Sequence, residues 1–156
     1  INWVAKLNNS KGLHKYGDSS DGKFSKKFGQ GRFVIPAPLE VDALIRWVPK
    51  GKLTTINELR AALSKKHKTD FACPITTGIF SWIAAHAADE QSRQGRKRIT
   101  PYWRALKSDG QVNPKYPGGI EAIREKLEAE GHTVIQKGKR FLVEDFEKKT
   151  FVRKLK

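Results

Sequence analysis

The sequence predicts a mainly α, winged-helix-like helix-turn-helix domain with a small C-terminal β-hairpin and an N-terminal arm. Three observations carry that expectation. Apolar residues recur at helical spacing in successive stretches after residue 39. Two short strand-like runs flank Lys137-Gly138-Lys139. The opening segment is broken by Gly12, Gly17, Gly22, Gly29 and Gly31 and holds no sustained apolar period. The 156 residues suit one domain of ordinary size, divided as an arm over 1–32, a helical body over 33–131, and a hairpin with a basic tail over 132–156.

Within the arm, Trp3, Val4 and Leu7 have the spacing of a short helix that docks on the body. Phe33-Val34-Ile35 reads as extended and is stopped by Pro36-Ala37-Pro38, whose missing amides preclude a continuing helix. In the first body helix Val41, Leu44, Ile45 and Val48 form a one-face stripe that ends at Pro49-Lys50-Gly51. Thr54 or Thr55 caps a second helix with Ile56, Leu59, Ala62 and Leu63 facing inward. Glu58 suits its first turn, and Lys65-Lys66-His67-Lys68 its last. A third helix follows Pro74, capped by Thr76 or Thr77, with Ile79, Phe80, Ile83, Ala84 and Ala87 as its apolar side. Asp89 to Arg98 reads as a loop or frayed helix end, and Ile99 to Leu106 as a short aromatic stretch. Turns follow at Ser108-Asp109-Gly110, Asn113-Pro114 and Pro117-Gly118-Gly119. A fourth helix runs from about Gly119 to Glu130 on Ile120, Ile123 and Leu127, with Gly131 as its stop. Thr133 to Gln136 and Arg140 to Val143 then form the hairpin.

Composition narrows the function. Lys and Arg number 31 against 16 Asp and Glu, a formal charge of +15 that nominates a polyanion, nucleic acid first, as partner. Four tryptophans and 38% hydrophobic residues exclude wholesale disorder. No apolar run is long enough to span a bilayer and no signal-peptide pattern opens the chain, so no membrane partner is expected. Cys73 stands alone, which excludes intrachain disulfides and multi-cysteine metal sites and fits a cytoplasmic protein. His14, His67, His86 and His132 are scattered, so neither metal nor cofactor is expected.

Four fragments then point further. Val48-Pro49-Lys50-Gly51-Lys52-Leu53-Thr54-Thr55, Thr100-Pro101-Tyr102-Trp103-Arg104, Ser108-Asp109-Gly110 and Tyr116-Pro117-Gly118-Gly119-Ile120-Glu121 occur in order around the helix-turn-helix outline. They resemble the DNA-binding domain of the alkylguanine-DNA alkyltransferases, and more closely the alkyltransferase-like proteins that have lost the reactive cysteine. The resemblance spans roughly residues 39 to 131. It implies double-stranded DNA as partner, a third helix in the minor groove, and a pocket for a flipped base. It also places Tyr102 where the family's methyl-accepting thiol stands and Trp103 where its histidine stands. Glu130 matches the glutamate that steadies that histidine, and here it would have no imidazole to steady. A phenol with a pKa near ~10 is a poor dealkylating nucleophile beside a thiolate, so no alkyl transfer is expected.

By the same resemblance the base pocket comprises Tyr102, Trp103, Tyr116, Gly118 and Gly119. The DNA-binding set is Asn57, Thr76, Thr77, Gly78, Ser81, Arg96, Lys97, Arg98, Arg104 and Ser108, with Lys50, Lys52, Lys107 and Lys115 as further cations. Two family features are missing. Gly78 falls at the arginine that fills the gap left by a flipped base, and Ile56 at the tyrosine that pushes on the target phosphate. For Trp103 core packing is the simpler role, and Gly78 serves equally as a site of close helix packing. The function expected is a monomeric, non-enzymatic reader of alkylated or otherwise damaged guanine that flags it to nucleotide excision repair proteins. The alternatives are a regulatory helix-turn-helix protein without lesion preference, an alkyltransferase acting through Cys73 or Tyr102, and an RNA-binding protein.

Overall fold

The computed structural model describes residues 2–19 and 29–151. The break expected at Gly22 and the tail Arg153-Lys154-Leu155-Lys156 lie outside the described residues. In chain order the elements are α1 (Trp3–Asn8), β1 (Lys15–Asp18), β2 (Arg32–Ile35), α2 (Pro38–Arg46), β3 (Thr54–Thr55), α3 (Ile56–His67), β4 (Phe71–Ala72) and α4 (Pro74–Arg93). A 3-10 turn over Tyr102–Arg104 leads into β5 (Ala105–Leu106), followed by α5 (Gly119–Ala129), β6 (Val134–Lys137) and β7 (Arg140–Val143). The fold is mainly α.

The body helices form where the stripes place them. Val41 and Ile45 of α2, Leu59 and Leu63 of α3, and Ile123 and Leu127 of α5 are buried in one core with Leu53 and Leu106. Thr55 is the cap of α3: its hydroxyl accepts from the Glu58 amide at 3.2 Å. The hairpin β6–β7 pairs Val134 with Val143 and Lys137 with Arg140.

Three details differ from the sequence-based reading. First, α4 begins at Pro74, three residues before the later of its expected caps, and Cys73 holds the N-cap position. Proline is well suited there because the first-turn amide has no helical partner to lose. Second, α4 runs on to Arg93 through the stretch read as a loop. An Asp89–Arg93 ion pair at 3.1 Å spans its last turn, and the Glu90 carboxylate accepts from the Trp3 amide at 2.9 Å, so tertiary contacts extend the helix. Third, Ile79 is not on the buried side of α4. That side is made of Thr77, Ser81, Ala84, Ala85, Ala87 and Ala88, small residues that let the helix lie close to its neighbours, while Ile79 is 45% exposed.

The segment read as an arm is tied to the body in two places. Leu7 of α1 is buried, and Trp3 stacks on His86 with ring centroids 4.6 Å apart. β1 pairs antiparallel with β2, Lys15 opposite Ile35, and β2 pairs in parallel with β4, closing a three-stranded sheet. At the other end, parallel pairing of β3 with β5 sets Thr54 against Ala105 and Thr55 against Leu106. That pairing brings the Val48–Thr55 and Thr100–Arg104 fragments, far apart in sequence, side by side.

Candidate nucleic-acid interface

The turn carrying Tyr102 and Trp103 is fixed from below by a polar trio, the buried Asp42 and Thr100 with the exposed Arg46. Thr100 donates to the Asp42 carboxylate at 2.6 Å, and Arg46 Nε donates to Thr100 Oγ1 and to Asp42, both at 2.9 Å. Tyr102 is therefore held with its ring at 83° to that of Tyr116, centroids 6.2 Å apart, and edge-on to Trp103 at 5.3 Å. Both tyrosines are buried. The Tyr116 hydroxyl lies 2.5 Å from the hydroxyl of Ser81 on the inner side of α4.

This interior is chemically quiet. Burial, with the Asp89 carboxylate adding to it, pushes the Tyr102 hydroxyl up to about 12. Burial pushes Tyr116 up to about 12 as well, against the opposing hydrogen bonds of Ser81 and Asn113. Cys73 is buried at the start of α4, its carbonyl accepting from the Thr77 hydroxyl at 2.7 Å.

Glu130, expected to have no imidazole to steady, is held by two other side chains. Trp103 Nε1 donates to its Oε2 at 3.0 Å, an indole N–H in place of the missing imidazole. Arg104 grips the same carboxylate with Nε at 2.9 Å and a terminal nitrogen at 2.7 Å, and its other nitrogen donates to the Val48 carbonyl at 2.8 Å. Burial favours the neutral acid, yet the Arg104 and Trp103 hydrogen bonds and the Arg104 charge outweigh it and hold Glu130 below the usual carboxylate range. Lys126 Nζ lies over the Trp103 ring, 4.8 Å from its centroid. The half-buried indole therefore contacts two cations, with the Arg104 guanidinium carbon 5.4 Å from its centroid.

The residues expected at DNA do not share one surface. Thr77 and Ser81 face inward and are fully buried, and Arg104 spends its guanidinium on Glu130 and Val48. Asn57, Arg96, Lys97, Arg98 and Ser108 are exposed, as are Lys50, Lys52, Lys107 and Lys115, while Thr76 and Gly78 are half-exposed on α4. Asn57 borders a groove with Arg60, Lys65 and Asp70 on the α3 side. Gly118 caps α5 at φ +81°, where a Cβ would lie 2.5 Å from that of Ala122, so the Pro117-Gly118-Gly119 turn accepts no other residue readily. Close packing does not explain Gly78. A Cβ there would meet nothing within 4 Å.

The outer face of α4 gathers Gly78, expected at DNA, and Ile79, expected in the core, with Ile75 and Trp82, to which the sequence reading gave no role. Ile75, Gly78, Ile79 and Trp82 line a cavity of about 400 Å³ together with Asn113 and Lys115. The Lys115 carbonyl accepts from Trp82 Nε1 at 3.2 Å and from His86 Nε2 at 3.1 Å, which fixes the loop against the helix. Helical spacing of 75, 78, 79 and 82 was the available signal; of these only Ile79 was assigned to the core.

One histidine cluster also departs from expectation. His67, read as lacking a carboxylate partner, sits 2.6 Å from Glu40, with His14 beside it at a ring-centroid distance of 4.3 Å. The three side chains converge closely enough to hold a cation. Lys66 already lies 2.7 Å from the Glu40 carboxylate, so the group reads as an ion-paired clamp between α2 and α3.

No protein-family model matches the chain, and no curated protein does. Among solved structures the fold is similar to S. pombe ATL in complex with DNA, at a TM-score of 0.54 and 16% identity over 74% of this chain and 94% of that one. It is also similar to S. pombe Atl1 in complex with damaged DNA containing O6-carboxymethylguanine, at 0.49 and 15%, with the same coverage. The fold is alkyltransferase-like.

Proposed function

We propose that the protein binds duplex DNA without altering it covalently, as a sensor of damaged guanine. The observation that carries DNA binding is the run Arg96-Lys97-Arg98 immediately beyond α4. All three side chains are exposed, and among the described residues none forms an ion pair, in a chain of net charge +15. Such cations release counterions when they meet phosphates, which gives affinity that falls steeply with salt. The fold shared with a protein whose crystal structure contains DNA supports the same partner.

The non-enzymatic part rests on Tyr102. With its hydroxyl at about 12, roughly one molecule in 10⁵ carries a phenolate at neutral pH, too few to act as a competent nucleophile. Trp103, in the place where the resemblance puts a histidine, offers an indole N–H that cannot accept a proton. Incubation with duplex carrying a radiolabelled O-methylguanine should leave the protein unlabelled; labelled protein would revive the alkyltransferase alternative.

A second reading has an observation in its favour. The Ser81–Tyr116 hydroxyl contact closes the interior where a flipped base would be received, and Gly78 and Ile56 supply neither wedge cation nor phosphate-pushing phenol. A regulatory DNA-binding protein without lesion preference would be built this way. Fluorescence titration against matched duplexes with and without an O-alkylated guanine separates the two: tighter binding to the modified duplex supports the sensor, and equal affinities support the regulator. The sensor reading extends to a cytoplasmic monomer that hands the lesion to excision-repair proteins. The lone buried Cys73 suits a reducing compartment, and no described helix is long and apolar enough to cross a membrane.

A further inference from the structure

His14, Glu40 and His67 come from three separate segments: the link before β1, the first turn of α2 and the last residue of α3. The fold brings one donor atom of each within 4.8 Å of the other two. Two of the three are sheltered. The His67 side chain is 6% exposed and that of Glu40 13%, while His14 lies at the surface. Each sheltered donor is aimed by a further contact. Glu40 Oε2 accepts from the Ala37 amide at 2.8 Å, which leaves Oε1 turned toward His67 Nε2 at 2.6 Å. The Tyr16 hydroxyl lies 3.1 Å from His67 Nδ1, so that nitrogen is engaged and Nε2 is the one presented. A carboxylate held by an amide and an imidazole held through its far nitrogen are the supports that orient metal ligands. An ion pair accounts for Lys66 on Glu40 but gives the second imidazole, His14, no part.

We propose that His14, Glu40 and His67 form a binding site for a zinc ion, which displaces Lys66 from the Glu40 carboxylate. This goes beyond the DNA reading and does not depend on it. Two imidazoles and one carboxylate are a donor set that zinc accepts, with water as its fourth ligand. Magnesium and calcium prefer oxygen donors and are not suited to it. Tetrahedral zinc with bonds of about 2.0–2.2 Å holds its ligand atoms ~3.3 Å apart, so His67 and Glu40 need part only slightly. His14, at the surface, is free to supply the remaining movement. In the hydrogen-bonded arrangement His67 Nε2 donates to Glu40. When zinc binds, the ring proton lies on Nδ1 and is donated to the Tyr16 oxygen, which leaves the Nε2 lone pair for the metal. Lys66, its side chain 55% exposed, turns into solvent. The ion then ties the segment before β1 to α2 and α3.

The test titrates the full, tag-free chain, stripped with a chelator, with zinc chloride, reading both heat and melting temperature. The wild-type protein should take up a single zinc and melt at a higher temperature with it than without it. His14→Ala and His67→Gln should each weaken zinc binding well beyond tenfold, and Tyr16→Phe, which removes an outer support, by about tenfold. Lys66→Ala should bind zinc several-fold more tightly, an effect that a simple ion-paired clamp has no reason to show. No uptake of zinc by the folded wild type overturns the site. Zinc binding that survives both histidine variants also overturns it, since the ion then sits elsewhere. Magnesium uptake as strong as that of zinc does the same. A Lys66→Ala variant whose zinc affinity is unchanged or weaker removes Glu40 from the ligand set and overturns it too. Duplex binding by the wild type is untouched by any of these results.

Discussion

The two sides of α4 are built on opposite principles. Toward the interior, small residues pack close and each hydroxyl is spoken for: Thr77 by the Cys73 carbonyl, Ser81 by Tyr116. Toward solvent, two isoleucines lie open, and the cations beyond the helix end lack carboxylate partners among the described residues. The inner side, with the Trp103–Arg104–Glu130 cluster near it, is where stability resides. The outer side keeps Ile75 and Ile79 about half exposed, and on the reading proposed above it faces the duplex. One helix thus carries a closely packed inner side and an outer side on which Trp82 and His86 anchor the Lys115 loop beside two exposed isoleucines.

Mutations should respect that division, and the largest effect lies inside. Glu130→Ala leaves the Arg104 guanidinium buried without its counter-charge and the Trp103 N–H without an acceptor, and should cost about 3–5 kcal/mol in urea unfolding. A loss under about 1 kcal/mol, the range of exposed pairs, would show that solvent reaches the cluster. Next comes Tyr116→Phe, which strands the Ser81 hydroxyl and should cost about 1–3 kcal/mol by the same measurement. Replacing Arg96, Lys97 and Arg98 together by Ala should change stability by no more than about 0.5 kcal/mol, because all three are exposed. The same triple variant should flatten the salt dependence of DNA binding by up to about three phosphate contacts. An unchanged slope would place the phosphate track elsewhere.

The smallest effect is a pH dependence. His132 is buried with both ring nitrogens lacking a protein hydrogen bond, and burial, helped by Lys149 and opposed by Glu130, holds its pKa below the usual 6.5. The folded ring stays neutral while the unfolded chain takes up a proton, so its contribution is complete above pH 6.5 and is lost as pH falls below that value. His132→Leu should therefore flatten the decline of Tm between pH 7 and pH 5. Parallel wild-type and variant curves would mean that the ring is protonated in the fold.

The same division explains what could be read from the chain beforehand. Val41, Ile45, Leu59, Leu63, Ile123 and Leu127 announced their helices because burial imposes a 3.6-residue period, and the cap was legible to within Thr54 or Thr55, of which Thr55 serves. β1 gave no signal, since Lys15–Asp18 is exposed on both faces and pairs only because β2 lies beside it. The last turns of α4 were illegible for a related reason: the contacts that hold them come from Trp3, some 87 residues away. The candidate interface was legible in its charge but not in its shape. Isoleucines at helical spacing look like core to any reading of period alone, and only the small residues opposite them reveal which side faces in. Glu130 was misread because histidine was taken as its required donor, although an indole N–H serves as well.

The central claim is that the outward cations beside α4 dock the protein on duplex DNA. Anisotropy of a labelled duplex, titrated with the protein at a series of salt concentrations, tests it most directly. Affinity should fall along a straight log–log line worth several phosphate contacts, and the Arg96, Lys97 and Arg98 variant should follow a shallower one. Binding that ignores salt, or no binding at low salt, would contradict it.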